Sequence, residues 1–289
     1  MDKSNFKLGI VFALLAIAMF SIMNAVIKGI ETEYSPVQVA FIRFFISIIP
    51  CFGFYYFEKD RPKLFISTKL TLQHFIRGGV SALSITALCA AFKLLPFGDA
   101  TAINFSSILF ITALSVPILG QRVDLPRWVA VFVGFTGILI IAQPGGDIFC
   151  MGAVYALFYS LTDAYVIIMG RVLSDKHSPG ASALLLCLSA SLVSGMIACF
   201  YWQMPSVHDS LILVALGLFG GVGFLLQTMA YNFAPASAVA PMAYSGMIWG
   251  VVFGFVFWNE IPDLSLILGY VLIVGSGYYI IRKESKPKV

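Results

Sequence analysis

Three charged residues, Asp163, Arg43 and Arg77, lie inside long apolar stretches of a 289-residue chain. A carboxylate well inside a membrane helix costs roughly 2.5–3.5 kcal/mol on insertion scales, so its default reading is functional: a proton carrier or a counter-ion for a cation. The alternative is a structural ion pair with Arg43 or Arg77. Arg43 sits seven residues, about 10 Å, inside the stretch that begins at Pro36. Its guanidinium either snorkels to the interface or faces a central cavity and clamps a carboxylate through two parallel N–H bonds. Arg77 stands near the start of its own stretch, where snorkelling to lipid headgroups is the expectation.

Neutral polar and aromatic residues inside the stretches complete a candidate binding site: Asn24, Asn104, Ser107, Tyr155, Tyr159, Gln227, Tyr231, Tyr244 and Trp249. Asn104 and Ser107 share a helical face at i, i+3, as do Tyr155 and Tyr159 at i, i+4. Aromatic faces suit a sulfonium or ammonium, while polar groups hold the carboxylate and amine of an amino-acid end. Taken singly, each of these side chains has a plainer role, bonding a neighbouring helix or, for the tyrosines and Trp249, marking the lipid interface. No P-loop, GxSxG elbow or HExxH helix occurs, so no catalytic residues, cofactor or metal site are expected. Cys51, Cys89, Cys150, Cys187 and Cys199 show no CxxC spacing and read as small packing residues. His74, His177 and His208 are scattered and read as solvated interfacial residues.

The elements that must position these groups are ten apolar stretches: Leu8–Ile30, Pro36–Phe57, Phe75–Leu95, Ala100–Leu119, Trp128–Ala142, Ile148–Met169, Ala181–Tyr201, Leu211–Tyr231, Val239–Trp258 and Leu264–Ile281. Each approaches the roughly 20 residues that cross a hydrocarbon core as a helix. With 60% hydrophobic and 11% charged residues, the composition is that of an all-α membrane protein with ten transmembrane helices. If the N-terminus is cytoplasmic, the inner segments hold Lys3, Lys7, Lys59, Arg61, Lys63, Lys69, Arg122, Arg127, Arg171, Lys176, Arg282, Lys283, Lys286 and Lys288, and the outer ones only Lys28 and Lys93. Basic loop residues are retained on the cytoplasmic side, so both termini are expected inside. The net charge of +4 thereby reports topology; spread over five segments, it forms no stripe for nucleic acid. The partners expected are the lipid bilayer of a cell inner membrane and a small-molecule substrate, with the chain a monomer or a homodimer.

Shifting the chain on itself by 139 residues superposes Gly78 on Gly217, Ala91 on Ala230, Pro96 on Pro235, Ser106 on Ser245, Asp124 on Asp263 and Gln121 on Glu260. A shift of 143 adds Gly9 on Gly152, Ala13 on Ala156, Leu14 on Leu157 and the basic pair Lys28 and Arg171. The spans therefore read as five plus five, in repeats 1–143 and 144–289. An odd number of crossings per repeat inserts the second half upside down, the inverted-repeat plan in which a midplane site lies between rocking halves. Gly246, Gly250 and Gly254 form a small-residue stripe in the ninth span, either ordinary close packing or a sliding seam.

The chain resembles the drug/metabolite transporter superfamily, in its ten-helix EamA-type members, over essentially its whole length. The residues that carry the resemblance are Val39-Ala40-Phe41-Ile42-Arg43-Phe44, the Ala-Phe-Lys-Leu-Leu-Pro ending at Pro96, Gly120-Gln121-Arg122, Ala240-Pro241-Met242-Ala243-Tyr244 and Asn259-Glu260-Ile261-Pro262-Asp263. His74-Phe75-Ile76-Arg77-Gly78, Arg127-Trp128-Val129 and Asp163 are similar to the subgroup that contains the S-adenosylmethionine uptake carriers of obligate intracellular bacteria. It departs from many relatives at Gln121, where they carry an acid, and at Ala243, where they carry a base. The resemblance implies a secondary transporter of a small polar metabolite, with S-adenosylmethionine uptake first, and amino-acid export or a riboflavin-type vitamin carrier as alternatives. A small multidrug pump is disfavoured because the first span, Leu8–Ile30, carries no acid.

Overall fold

The computed structural model describes residues 3–30, 34–58, 64, 67–120, 125–142, 147–174, 178–233 and 239–284. Among the described residues eleven α-helices follow one another: α1 Lys3–Ile30, α2 Pro36–Phe57, α3 Thr68–Leu94, α4 Phe97–Asn104, α5 Ser107–Leu119, α6 Leu125–Ala142, α7 Asp147–Ser174, α8 Pro179–Ala198, α9 Val207–Phe233, α10 Ser245–Trp258 and α11 Leu264–Glu284, with a 3₁₀ turn at Ala240–Tyr244 leading into α10. Among the described residues there is no strand. Seven helical segments are long and apolar enough to cross a membrane: Lys7–Ile30, Pro36–Phe57, Thr68–Leu94, Phe97–Ile118, Met151–Gly170, Pro179–Ala198 and Val207–Ala230. Three shorter apolar helices, Trp128–Ile141, Met242–Trp258 and Leu264–Ser276, coincide with the remaining stretches of the sequence. Large apolar side chains such as Phe132, Leu211 and Ile248 point outward, as a lipid-facing surface requires.

Two spans are broken. The fourth interrupts at Phe105 and Ser106, between α4 and α5, and the ninth changes from 3₁₀ to α at Ser245. A shift of 139 carries Ser106 onto Ser245, so the interruptions fall at corresponding positions. Each frees carbonyls that must find other donors inside a bilayer. At the first, the Ser160 hydroxyl of α7 lies 3.1 Å from the carbonyl of Ile103; at the second, Ser245 Oγ donates to Met242 O over 2.7 Å.

The same correspondence appears in caps and close contacts. Ser35 and Ser178 both cap a helix whose first residue is proline, each accepting the N–H three residues on, from Gln38 and from Ala181. Gly120 and Asn259 both end a helix in the left-handed region, at φ 64° and 54°, where glycine and asparagine are the residues that fit. A Cβ on Gly78 would meet Ser189 of α8, and one on Gly217 of α9 would meet Ile46 of α2, so each glycine lets two helices approach. Packing follows suit: α1 lies along α9 and α3 along α7, α2 along α9 and α3 along α8, while α2 meets α8 and α6 meets α11. The glycine stripe of α10 faces α4 and the turn after α10, with Gly246 against Phe105, Gly250 against Thr101 and Gly254 against Glu260.

Polar ties hold one end of the bundle. Lys28 Nζ donates to the carbonyls of Phe92 and Leu95, at the C-terminus of α3, where a cation meets the negative end of the helix dipole. Glu260 accepts the first free N–H groups of α4, from Phe97 at 2.8 Å and Gly98 at 3.1 Å. Gln38 and Gln203 bond reciprocally at 2.6 and 2.9 Å. The rings of Phe92, Phe97 and Trp258 stack beneath these ties at 5.2 and 5.1 Å.

Two expectations are corrected here. His74 is 1% exposed and Arg77 5% exposed, neither of them at the lipid–water boundary. The physical reason is that α3 begins at Thr68, seven residues before the apolar run at Phe75, so Arg77 stands about 13 Å along its helix. The Gln121 and Pro235 turns, His177, the side chains of Cys150, Arg171 and Tyr231, and most of the basic loop residues lie outside the described residues.

Candidate functional site

A cavity of about 270 Å³, at the lower end of the range typical of small-molecule sites, opens between α1, α2, α3, α7, α8 and α9 and reaches the two broken spans. Its lining brings together Asn24, Arg43, Asn104, Ser107, Tyr159, Asp163 and Gln227 of the residues expected from the sequence. Tyr155, one turn from Tyr159 along the same face of α7, is 37% exposed and does not line the cavity. The Trp249 ring lies tilted against Phe253 of its own helix, with centroids 5.3 Å apart, and Tyr244 packs against the core with its hydroxyl buried and unbonded. Neither belongs to the lining.

Charge is concentrated on one wall. Arg77 is held from two sides, its Nε donating to Val166 O at 2.9 Å and its Nη1 to Ser182 Oγ at 3.1 Å. Gly170 makes room for it, because a Cβ there would come within 2.6 Å of Nη2. The Arg43 guanidinium lies 4.6 Å from the centroid of the Phe44 ring, with Nε 3.1 Å from Met23 Sδ. Asp163 lies within the field of both guanidiniums; among the described residues no salt bridge joins it to either. The cavity therefore carries two cations and one anion that are near one another and unclosed, an arrangement that attracts a solute bearing charges of both signs.

Several lining residues went unremarked in the sequence. Ser81 and Ser84 face the cavity together with Arg77, and the i, i+4, i+7 spacing of the three on α3 was the signal that could have found the two serines. Ser21, Ser47 and Thr101 also line it, but single hydroxyls in apolar helices carry no periodic signature.

The shifts of 139 and 143 carry part of the lining onto other lining positions while changing its chemistry. The pairs Phe20 and Asp163, Asn24 and Ile167, Arg43 and Leu186, Phe44 and Cys187, Ser81 and Gly220, Asn104 and Ala243, and Ser107 and Gly246 correspond, and both members of every pair line the cavity. Every charged or amide member faces an apolar counterpart.

A bundle of apolar helices, two of them broken beside a shared polar cavity, is the construction of a multi-pass membrane transporter. The chain belongs to the EamA-like transporter family, which it matches twice, over residues 7–143 and 150–282. It is 28% identical over 279 residues to the S-adenosylmethionine uptake transporter of Rickettsia conorii (strain ATCC VR-613 / Malish 7), covering 96% of this chain and 94% of the relative. To the pseudopaline exporter CntI of Pseudomonas aeruginosa (strain UCBPP-PA14) it is 26% identical over 270 residues, 93% of this chain and 94% of the relative. A solved crystal structure superposes with a TM-score of 0.67 at 16% identity, over 96% of this chain and 99% of the other, a likeness of fold.

Proposed function

We propose that the protein is an inner-membrane carrier that takes up S-adenosylmethionine by alternating access between two inverted five-helix halves, with both termini cytoplasmic. The observation that carries this reading is the cavity in which Asp163 stands beside Arg43 and Arg77 without an ion pair. S-adenosylmethionine brings a carboxylate, an ammonium and a sulfonium. Arg43 clamps the carboxylate, Asp163 counters the cationic centre, and the faces of Tyr159, Phe20 and Phe224, which share the lining, accept the sulfonium. Asp163 is also the group through which a proton is exchanged with the transport cycle. The names of the Rickettsia relatives support the substrate.

Uptake of radiolabelled S-adenosylmethionine into cells expressing the chain tests the proposal, with unlabelled S-adenosylhomocysteine, amino acids and riboflavin as competitors. Saturable uptake inhibited by S-adenosylhomocysteine is the expected result. No uptake above background refutes it. The pseudopaline exporter relative favours a second reading, export of an amino-acid-derived metabolite, for which loss of preloaded label from intact cells replaces accumulation.

A further inference from the structure

Besides the charged residues, the cavity wall has a neutral polar part. Asn24 Oδ1, Thr101 Oγ1 and Asn104 Oδ1 are buried there, bonded to no protein group, and all three residues line the cavity. Asn104 and Thr101 belong to the short helix α4 just before its break, and Gly246 of α10 closes on the Phe105 ring beside them. α10 packs on α1 and α4, whereas Arg77 and Cys187 lie on α3 and α8, which pack on one another, on α2 and on α7. The neutral oxygens are therefore carried by α1 and α4 and the charges by α2, α3 and α7, with α4 packed on α7.

Buried amide and hydroxyl oxygens without partners are uncommon because each forfeits the hydrogen bonds it had in water. Three in one cavity are satisfied together by a ligand edge that presents both an amine donor and ring acceptors, because a hydroxyl and a carboxamide can each donate or accept. A carboxamide also turns about its last bond to offer either an acceptor or a donor pair, so Asn24 and Asn104 match an edge in which an exocyclic amine adjoins a ring nitrogen. That is the pairing by which asparagine reads adenine. Phe105, next to Asn104 in the chain, also lines the cavity and supplies a face for a planar ring, as in other sites that hold an extruded base.

We infer that this neutral part of the wall is a nucleobase subsite, which binds the adenine-type ring of a solute whose zwitterionic end lies against Arg43 and Asp163. The inference rests on the transport reading above for its charged end, and extends it by making the ring, not the amino acid, the part read by Asn24, Thr101 and Asn104.

The experiment compares two competitors of labelled S-adenosylmethionine uptake: S-adenosylhomocysteine, which carries the adenosine, and S-methylmethionine, which has the sulfonium amino acid alone. Each is titrated against wild type, Asn104→Leu and Asn24→Leu at matched membrane abundance. Asn104→Leu is expected to weaken S-adenosylhomocysteine about tenfold or more, the loss typical of a broken amide–base pair, and to leave S-methylmethionine unchanged. Equal weakening of both competitors, or of neither, overturns the inference. Thr101→Val, which removes one hydroxyl at nearly constant volume, is the second variant should the leucine variants fail to reach the membrane. If wild type shows no uptake, the transport reading falls, and the subsite is tested on the purified protein. Thermal stabilisation by adenosine in wild type and its loss in the variants sustain it, and no stabilisation of wild type ends it.

Discussion

Positions of this chain related by the shifts of 139 and 143 build one cavity with opposed chemistry. Where the first half places Arg43 the second has Leu186, and where the second places Asp163 the first has Phe20. The caps, the breaks and the tight glycine contacts are shared, because they set helix direction and approach. The charges are not shared. A scaffold with near-symmetric halves suits an exchange between two equivalent arrangements, whereas a solute with distinct ends calls for an asymmetric lining.

The strongest way to break this comparison is to make the halves alike. Asp163→Phe, which copies Phe20 into the second half, is expected to lower the uptake rate by about 100-fold or more, the worth of one partner of a buried charge pair; an unchanged rate in a labelled-substrate assay removes Asp163 from the site. Asp163→Asn separates charge from shape, and is expected to flatten the pH dependence of uptake as well as to slow it.

Arg43→Leu copies Leu186 and is expected to raise the half-saturating concentration about tenfold or more, the worth of a charge-assisted fork to a carboxylate. Arg43→Lys keeps the charge without the fork, and is expected to recover only part of that loss.

The shared scaffold is probed through glycine. Gly78→Ala sets a Cβ 1.9 Å from Ser189 Oγ and 2.9 Å from the Ala190 nitrogen, and is expected to cost about 1–3 kcal/mol by forcing α3 and α8 apart. Gly53→Ala meets nothing within 4 Å and is expected to be neutral or slightly stabilising. A thermal melt of the detergent-solubilised protein compares them, and equal melting temperatures count against the close approach.

The smallest effect is expected at Asp263. Its carboxylate accepts from Ser265 Oγ at 2.6 Å and the Leu266 N–H at 2.8 Å, and these bonds hold it below the usual carboxylate range. With its folded value depressed, the stabilisation it contributes is present above the ordinary value of about 3.9 and is lost as the pH falls through the depressed one. Asp263→Asn is therefore expected to leave only a minor change in the melt at pH 7 and to remove this acid-side loss; a large change at pH 7 contradicts a local capping role.

Most of the helical framework was legible in the sequence. Twenty-residue apolar runs have no other stable form in a bilayer than the helix, and the one long run that was misjudged, α3, was misjudged at a polar end, Thr68–His74, which the helix includes and hydropathy does not. The cavity was legible only as a set of residue types. Tyr155 and Tyr159 are equally plausible from spacing, and one is more than a third exposed, a turn away from the cavity, while the other lines it.

What the sequence determined by itself was membrane class, the positions of the spans, the internal correspondence at shifts of 139 and 143, and which polar groups the membrane would have to accommodate. Only the tertiary structure decided which of those groups meet. In a soluble helix the polar face is turned to water and can be read from periodicity, but a helix between lipid and an apolar core has the same apolar residues on both sides. Arg77, Thr101 and the breaks at Ser106 and Ser245 therefore became interpretable once α4, α7 and α10 were packed around them, because burial and partners are properties of neighbouring helices.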